Sequence, residues 1–407
     1  MKIGVVGLGK LGLPLAAVLA DCGFNVVGVD RSLDLITRLN LKEFQFSEPN
    51  LSTLLSHVKG NLVFSSNYSQ LMDSEVIYVI VPTPSDPNGR FLNDYIVDAL
   101  QSIMFGLTHC PESLDIVIVS TVMPGTCTKI LIPLIRKLES ELGWRDRTVR
   151  IIYSPEFIAL GSVVENLENP DMVLVGAEEK GDCERHLIIQ KTLTQSKETR
   201  ILNFEEAEFV KLLVNCFVTM KISFANLIGE IGAQHNDVRE AKVAEALGLD
   251  TRIGSKYLRP GLGFGGPCFP RDNEALIASC RELEIAHDLA IATILVNSRQ
   301  PKVLFNKIIR KLGDKKSIRI HGVSYKIGSD NHERSQMIEV VNMLVQHNIQ
   351  VEVSDPLIRN RPTELDSRAE WVEITKSIIG VDLLVTHQKL LSDLVLLESQ
   401  VVLILDY

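Results

Sequence analysis

The stretch that decides the fold is IGVVGLGKLGLP, residues 3–14. Ile3 to Val6 has the unbroken apolar character of a buried strand, and Leu11 to Cys22 has the apolar spacing of a helix. Three glycines in the spacing GxGxxG separate the two elements. They are Gly7, Gly9 and Gly12. Such a turn lets a pyrophosphate approach the helix N-terminus and lets helix and strand pack closely, so the stretch predicts a dinucleotide-binding unit. The alternative is that the glycines only turn the chain.

An acidic residue at the end of the second predicted strand favours NAD over NADP. Asp30 follows Val26 to Val29, and it lies 18 residues after Gly12. A carboxylate at this point accepts hydrogen bonds from the adenosine ribose and repels a 2′-phosphate. The neighbouring Arg31 weakens that preference. We therefore expect NAD as the cofactor.

The N-terminal third alternates short apolar runs with helical patterns. Val76 to Val81 and Ile116 to Val119 indicate further buried strands, and Tyr95 to Leu107 has helical spacing. Alternation of this kind is typical of βαβ units, so we predict a parallel sheet with helices on both faces.

The rest of the chain has the pattern of one long apolar helix, followed by a second α/β pattern. Phe204 to about Gln234 is one helix-like stretch without proline, apolar nearly all round, and should be buried between domains or subunits. After a polar break at 313–316, a second α/β pattern begins. Its elements are the strand Ile318 to Val323, the helix Ser335 to His347, and strands at Val351 to Val353, Val381 to Val385 and Val401 to Leu405. The predicted α/β fold comprises an N-terminal Rossmann domain (1–200), a central long-helix dimerisation region (201–300) and a smaller Rossmann-like C-terminal domain (301–407).

Composition limits the possible function classes. The 407 residues suit two or three domains. A net charge of −9 argues against a nucleic-acid groove or an anionic membrane surface. Seven cysteines without a CxxC pair or Cys/His metal spacing predict free thiols in a reducing, cytoplasmic setting and no metal site. The first twenty residues could pass for a leader, but glycines interrupt them, and we expect neither export nor a membrane span.

The stretch GFGGPCFPRD, residues 263–272, contains a candidate nucleophile. Pro270 suits a first helical turn and Asp272 an acidic helix start, so Cys268 should lie just before a helix N-terminus. There the helix dipole favours the thiolate, and the preceding glycines leave room for a substrate. From the residues alone, a small buried hydrophobic side chain is an equal alternative.

Two further groups of polar residues are candidates for the chemistry. Lys211 and Asn215 lie one turn apart on the long apolar helix, where a buried ammonium needs a polar partner or a function. Lys211 would stabilise an alkoxide or hold water, with Asn215 as an oxyanion donor; alternatively, Lys211 extends to solvent. Thr121 and Glu156 follow predicted strands, where they would order a water or only cap turns.

Together these motifs resemble the UDP-glucose/GDP-mannose dehydrogenase family over nearly the whole chain. The resemblance rests on segments in the family's order and spacing. They are Gly7 to Pro14, Val81-Pro82-Thr83-Pro84, Ser120-Thr121-Val122, Ser154-Pro155-Glu156-Phe157, Lys211 with Asn215, Arg252-Ile253-Gly254, and Gly263 to Asp272. The last segment is highly specific and favours Cys268 as a nucleophile.

The resemblance implies a double oxidation of a nucleotide sugar's primary alcohol through a Cys268 thioester. It implies that Lys211 and Asp272 support the alkoxide and proton transfer, that Asn215 is the oxyanion donor, and that Glu156 and Thr121 handle water. It adds Lys10, Leu11, Pro82, Thr83 and Thr121 to the cofactor site. The implied substrate-binding residues are Glu156, Phe157, Lys211, Asn215, Arg252, Tyr257, Arg259, Gly265 and Lys326. A homodimer through the central helix is also implied.

Two departures from the family pattern bear on the substrate. Glu333-Arg334 exchanges the acid and base that the family has there, and Thr386-His387-Gln388 replaces its Thr-Glu-Trp. The cysteine loop lacks the GxGGHC form of the branch acting on UDP-N-acetylhexosamines, so UDP-glucose is the expected substrate and GDP-mannose or a UDP-N-acetylhexosamine the alternatives. Two other functions stay open, namely a two-electron dehydrogenase of the 6-phosphogluconate kind and a nucleotide-sugar binding protein without turnover.

Overall fold

A computed structural model describes most of the chain. It covers residues 1–407 except 44–45, 47, 59, 110–111, 146–147, 195–197, 236, 374–380, 388, 391–401 and 406–407. Gln388, one of the predicted departures from the family pattern, lies outside the described residues. Tertiary contacts divide the chain into two compact units, Met1–Leu213 and Val214–Tyr407. The division into three domains at 200 and 300 stays a prediction.

The first unit is built on an eight-stranded sheet. Its strands are β1 (Lys2–Val6), β2 (Asn25–Val29), β3 (Leu62–Ser65), β4 (Val76–Val79), β5 (Leu114–Ile118), β6 (Val149–Tyr153), β7 (Val173–Gly176) and β8 (Thr199–Leu202). Their order in the sheet is β3-β2-β1-β4-β5-β6-β7-β8. Strands β1 to β6 are parallel as predicted, whereas β7 pairs antiparallel with β6 and β8 runs parallel to β7. The chain order reverses beside β1, which places a crevice at the carboxyl ends of β1 and β4.

Helices cover both faces of this sheet, which confirms the predicted layering. They are α1 (Gly12–Asp21), α2 (Leu33–Asn40), α3 (Leu51–His57), α4 (Asp94–Gly106), α5 (Ile132–Glu141), α6 (Val163–Glu168) and α7 (Glu184–Leu193). Alternate residues of β4 belong to different apolar clusters. Val76 and Tyr78 pack in the cluster that contains α1, and Ile77 and Val79 in the cluster that contains α4. Period-two alternation in a fully buried strand requires an apolar layer on each side.

The predicted long helix is confirmed as α8, Phe204–Gly232, which continues from the first unit into the second. Several of its apolar side chains are exposed in the single chain, with Phe217 59% and Phe224 56% exposed. By length and hydropathy alone α8 would also pass as a membrane span, which is weak evidence because core helices of soluble proteins pass the same test.

The second unit combines long helices with a smaller parallel sheet, as predicted. Its further helices are α9 (Glu240–Gly248), α10 (Phe269–Glu282), α11 (Asp288–Leu312) and α12 (Gln336–Gln346). Its strands are β9 (Ser317–His321), β10 (Gln350–Ser354), β11 (Glu370–Trp371), β12 (Leu383–His387) and β13 (Val402–Leu405), in the order β11-β10-β9-β12-β13. The second half of α11 and the buried face of α12 pack on this sheet.

Candidate active site

The glycine turn between β1 and α1 has the geometry that a pyrophosphate requires. Gly7 has φ +92°, and a Cβ there would lie 2.0 Å from the carbonyl oxygen of Ile80. On Gly12 a Cβ would lie 1.8 Å from the carbonyl oxygen of Gly7, so this glycine permits the close packing of helix and strand. On Gly9 it would meet no atom among the described residues within 4 Å. The turn is therefore tight on its protein side and open beside Gly9, where a ligand can approach.

The carboxylate of Asp30 is fixed beside the same turn. Its Oδ2 accepts the backbone N–H of Leu8 at 2.8 Å, and its Oδ1 accepts that of Ser32 at 2.8 Å. Each oxygen retains a lone pair for a ribose hydroxyl. Arg31 lies with its guanidinium 4.9 Å from the centre of the Tyr95 ring, while Lys10 and Leu11 belong to the turn itself, Lys10 exposed and Leu11 partly buried. The arrangement fits the adenosine half of a dinucleotide.

The loops after β4 and β5 are tied together at the same edge of the sheet. Ser120 accepts the N–H of Val81 at 2.9 Å and donates to its carbonyl oxygen at 2.7 Å. Thr83 donates to the carbonyl oxygen of Thr121 at 2.8 Å. The predicted cofactor residues Pro82, Thr83 and Thr121 therefore lie in one bonded pair of loops next to the crevice.

Lys211 and Glu156 meet in the first unit. The Nζ of Lys211 donates to the backbone carbonyl oxygen of Glu156 at 2.7 Å and lies 4.8 Å from the Phe157 ring centre. Only 9% of Lys211 is exposed, so the alternative that it extends to solvent is wrong. Burial raises the pKa of the Glu156 carboxyl to about 7, against opposing effects of Lys211 and a hydrogen bond from Gln190. A carboxyl group with this pKa can exchange protons near neutral pH.

Two supporting residues here were not predicted. Gln190 of α7 is buried and hydrogen-bonds Glu156. Glu208, fully buried on α8, accepts the backbone N–H groups of Gly125 at 2.5 Å and Cys127 at 2.8 Å, which fixes the loop after Thr121. Both are polar residues in helices, a pattern more typical of a solvated face, so the sequence alone contains no signal for them.

Cys268 lies where the sequence predicts, as the N-cap of α10 with Pro270 in the first turn. Its side chain is exposed, so the alternative of a small buried hydrophobic residue is wrong. The thiol is therefore accessible at the positive end of a helix dipole, which favours its anionic form.

Asn215 and Asp272 meet in the second unit. The Nδ2 of Asn215 donates to Oδ2 of Asp272 at 2.6 Å. Asp272 is 1% exposed, and Arg271 lies 3.6 Å from its other oxygen. One N–H of the Asn215 amide remains to bind a developing oxyanion.

The glycines before Cys268 pack directly on residues 325–334. A Cβ on Gly265 would lie 2.3 Å from the carbonyl oxygen of Arg334, and one on Gly266, with φ +79°, would lie 2.5 Å from the Tyr325 ring. Arg334 also pairs with Glu274 of α10 at 3.0 Å. The exchanged pair Glu333-Arg334 is therefore structural support for the cysteine loop, which the sequence did not indicate.

A cleft at the carboxyl ends of β9 and β12 contains the predicted Lys326. His321 ends β9, His387 ends β12, and both line the cleft with Tyr325, Lys326 and Gly265. The chain order of the sheet reverses at β9, and parallel sheets bind ligands at such points. The cleft is the candidate nucleotide subsite of the second unit.

The remaining predicted substrate residues are exposed. Arg252 forms a two-bond ion pair with Asp250, at 3.0 Å from Nε and 2.6 Å from Nη2. Tyr257 has φ +61°, and Arg259 is exposed on the same segment. Hence the single chain leaves this segment accessible. Among the described residues, no group of three His, Cys, Asp or Glu side chains is suited to a metal ion.

Comparison with known proteins agrees with these features. Family models match residues 1–193 as the NAD binding domain, and residues 205–299 as the central domain, of the UDP-glucose/GDP-mannose dehydrogenase family. A UDP-glucose 6-dehydrogenase of Haloferax volcanii is 30% identical over 376 residues, covering 90% of this chain and 86% of that protein. A GDP-mannose 6-dehydrogenase of Pseudomonas aeruginosa is 30% identical over 369 residues, covering 87% and 81%. The solved UDP-glucose dehydrogenase of Pyrobaculum islandicum superposes with a TM-score of 0.86 at 28% identity, over 100% of this chain and 94% of that one. The chain therefore belongs to the UDP-glucose/GDP-mannose dehydrogenase family of NAD-dependent nucleotide-sugar 6-dehydrogenases.

Proposed function

We propose that this enzyme oxidises the C6 primary alcohol of UDP-glucose to a carboxylate in two steps, through a thioester on Cys268. The observation that supports this most is the exposed thiol of Cys268 at the N-terminus of α10. An alcohol dehydrogenase without a nucleophile stops at the aldehyde, because a second hydride must leave a tetrahedral carbon. A thiolate makes that carbon by addition and later departs, which divides one difficult oxidation into two easier steps.

Bound NAD would accept one hydride in each oxidation, with the first NADH exchanged for a second NAD between the two. In the first, the C6 hydroxyl loses its proton and the carbon loses a hydride, which leaves an aldehyde. The Cys268 thiolate adds to the aldehyde carbon and the aldehyde oxygen gains a proton, which gives a thiohemiacetal. Its hydroxyl then loses that proton and its carbon loses the second hydride, which leaves a thioester. Water then adds to the thioester carbon, and the carbon–sulfur bond breaks to release the acid and the thiol.

Each polar residue has a proposed role in these steps. The ammonium of Lys211 stabilises the alkoxide, and Asp272 assists proton transfer. Asn215, oriented by its 2.6 Å bond to Asp272, donates to the oxygen of the tetrahedral adduct. Glu156, with Thr121, activates the water that hydrolyses the thioester. The substrate contacts we propose are those of Phe157, Arg252, Tyr257, Arg259, Gly265 and Lys326.

The test of this function is the number of NADH molecules formed per nucleotide sugar consumed. UDP-glucose should give two, with GDP-mannose and UDP-N-acetylglucosamine as parallel substrates. Two NADH with GDP-mannose and none with UDP-glucose would correct the substrate alone. One NADH per sugar would support a two-electron oxidation instead, and binding of all three sugars without NADH would support a protein that has lost turnover.

The pH dependence tests the role of Glu156. Because a base acts in its ionised form, hydrolysis should slow as the pH falls through about 7, the pKa to which burial raises this carboxyl. Glu156→Gln should remove that pH dependence and lower kcat by about 10²-fold or more. The measurement is kcat between pH 5.5 and 9 for both proteins. An unchanged acidic limb in Glu156→Gln would assign the limb to another group.

We also propose a homodimer, in the cytoplasm, formed through α8. The exposed apolar side chains of this helix recur at spacings of three, four and seven, and so lie along one face. They are Leu213, Phe217, Phe224, Leu227 and Ile231. An apolar stripe of this length on a helix needs a partner surface.

Phe217→Glu should convert the dimer to a monomer, because it introduces a charge into the middle of the stripe. Phe105 on α4 is equally exposed, at 59%, and Phe105→Glu is therefore the matched control. Light scattering during gel filtration measures the mass of each variant. A dimer that survives Phe217→Glu, or a wild-type monomer at all concentrations, would refute the α8 interface.

A further inference from the structure

The glycine loop that precedes Cys268 is held by side-chain amides from three different helices. They are Asn226 of α8, Asn297 of α11 and Gln336 at the start of α12, and we call them the carboxamide clamp. All three contact the backbone of the loop, at Gly261 to Phe264. Cys268 follows this segment by four residues.

Asn297 and Gln336 bind two consecutive residues of the loop and also each other. Oε1 of Gln336 accepts the N–H of Gly263 at 2.7 Å, and its Nε2 donates to the carbonyl oxygen of Asn297 at 2.9 Å. Asn297 uses both ends of its amide on Phe264, accepting from the N–H at 2.7 Å and donating to the carbonyl oxygen at 3.0 Å. The contact leaves no space at Gly263, where a Cβ would lie 2.0 Å from Oδ1 of Asn297.

Asn226 holds the beginning of the loop, and a backbone carbonyl group holds its end. Oδ1 of Asn226, which is 2% exposed, accepts the N–H of Gly261 at 2.8 Å, and its Nδ2 donates to Leu262 at 3.4 Å. Further along, the N–H of Gly266 donates to the carbonyl oxygen of Glu333 at 2.9 Å. Peptide groups of Gly261 to Phe264 and of Gly266 are thus bonded to neighbouring elements.

A loop of this composition needs such bonds to have one conformation. Glycine has the largest backbone freedom of any residue, and a loop with glycines at 261, 263, 265 and 266 would otherwise sample many positions. Buried peptide groups also require partners. The carboxamides restrict the loop to one conformation and supply hydrogen-bond partners to its peptide groups. The conformation of the loop in turn sets the position of the Cys268 thiol.

We propose that Asn226, Asn297 and Gln336 are positioning residues that hold the Cys268 sulfur where it can attack the aldehyde. The inference rests on the proposed thioester function. The three residues should affect the two oxidations differently, because the first oxidation forms the aldehyde without the sulfur and the second needs the sulfur bonded to the carbon. Loosening the clamp therefore slows the second oxidation and spares the first.

The experiment is a single turnover with enzyme in excess over UDP-glucose, which resolves the two NADH steps. Asn297→Leu removes both amide ends, and should slow the second step by about 10- to 100-fold with the first step within twofold of wild type. Asn297→Asp keeps an acceptor for the Phe264 N–H and should recover part of the rate. Gln336→Met is a second, independent variant should Asn297→Leu fail to fold.

Gln300 provides the matched control for a purely structural effect. It is a buried amide on the same helix, 2% exposed, but it bonds Glu230 and the carbonyl oxygen of Val296 rather than the loop. Gln300→Met should lower thermal stability and leave the ratio of the two steps as in wild type. A wild-type ratio in Asn297→Leu and Gln336→Met, or the same change in Gln300→Met, would overturn the proposal.

A second readout does not depend on turnover. Alkylation of Cys268 by iodoacetamide, followed by peptide mass, should be about threefold slower at pH 7 in Asn297→Leu, because the thiol is no longer held in one orientation at the helix N-terminus that favours the thiolate. An unchanged alkylation rate would count against the clamp even if the double oxidation holds. One NADH per sugar in wild type, with altered alkylation in Asn297→Leu, would instead refute the thioester function and leave the clamp intact.

Discussion

Cys268→Ser is expected to stop the reaction after the first oxidation. A serine hydroxyl at the N-cap of α10 retains the helix but is almost fully protonated at neutral pH, so it adds slowly to the aldehyde and is a poor leaving group. The yield should fall from two NADH per UDP-glucose to about one on the timescale of wild-type turnover, with the second step slowed by roughly 10³-fold or more.

The measurement is NADH by absorbance together with trapping of the aldehyde by hydroxylamine and mass spectrometry. Cys22→Ser is the matched control, since Cys22 is also exposed but lies at the far end of α1. It should give two NADH at the wild-type rate. A Cys268→Ser enzyme that still forms two NADH at that rate would exclude the thioester.

Lys211→Met should produce the second largest loss, about 10²- to 10³-fold in kcat for both oxidations. Methionine fills the apolar stem of the side chain but removes the ammonium that donates to the Glu156 carbonyl oxygen at 2.7 Å. Because Lys211 also favours the ionised form of the Glu156 carboxyl, its loss should raise the pKa of that group further, and the acidic limb of the rate should move to higher pH.

The matched control for Lys211→Met is Lys221→Met on the same helix. Lys221 donates to the carbonyl oxygens of Ile253 and Gly254 at 3.0 and 3.2 Å. The variant therefore loses the same kind of lysine-to-carbonyl bond as Lys211→Met, but at a site that does not involve Glu156. We expect kcat for Lys221→Met within about threefold of wild type. Steady-state kcat and KM for UDP-glucose and NAD provide the comparison. Equal losses in the two variants would reduce the role of Lys211 to helix stability.

Strong local patterns made the architecture predictable. Each strong pattern is compatible with one type of element only. The structure confirms, within a few residues, the strands predicted at β1, β2, β4 and β5 and the helix predicted at α8. The reversal of β7 and β8 was not predicted, because strand direction depends on whether the connection returns the chain to the same end of the neighbouring strand or crosses to the opposite end, rather than on the residues in the strand.

The candidate site was predictable only where local sequence determines local geometry. Cys268 at a helix N-terminus follows from Pro270 and Asp272 beside it. The partner of Lys211 did not follow, because it is a backbone carbonyl 55 residues away in the chain. The carboxamide clamp was missed for the same reason: asparagine and glutamine in helices normally face water, and only the fold shows that these three face one loop.

The crowding around the glycines before Cys268 limits how this enzyme can be re-engineered. A methyl group at Gly263, Gly265 or Gly266 would collide with a different neighbour in each case, namely Asn297, Arg334 and Tyr325. A mutant library that randomises the glycines would therefore consist mostly of inactive clones. At Gly265 the obstacle is the backbone carbonyl oxygen of Arg334, which no side-chain substitution removes, whereas at Gly263 and Gly266 the obstacle is the side chain of the neighbour.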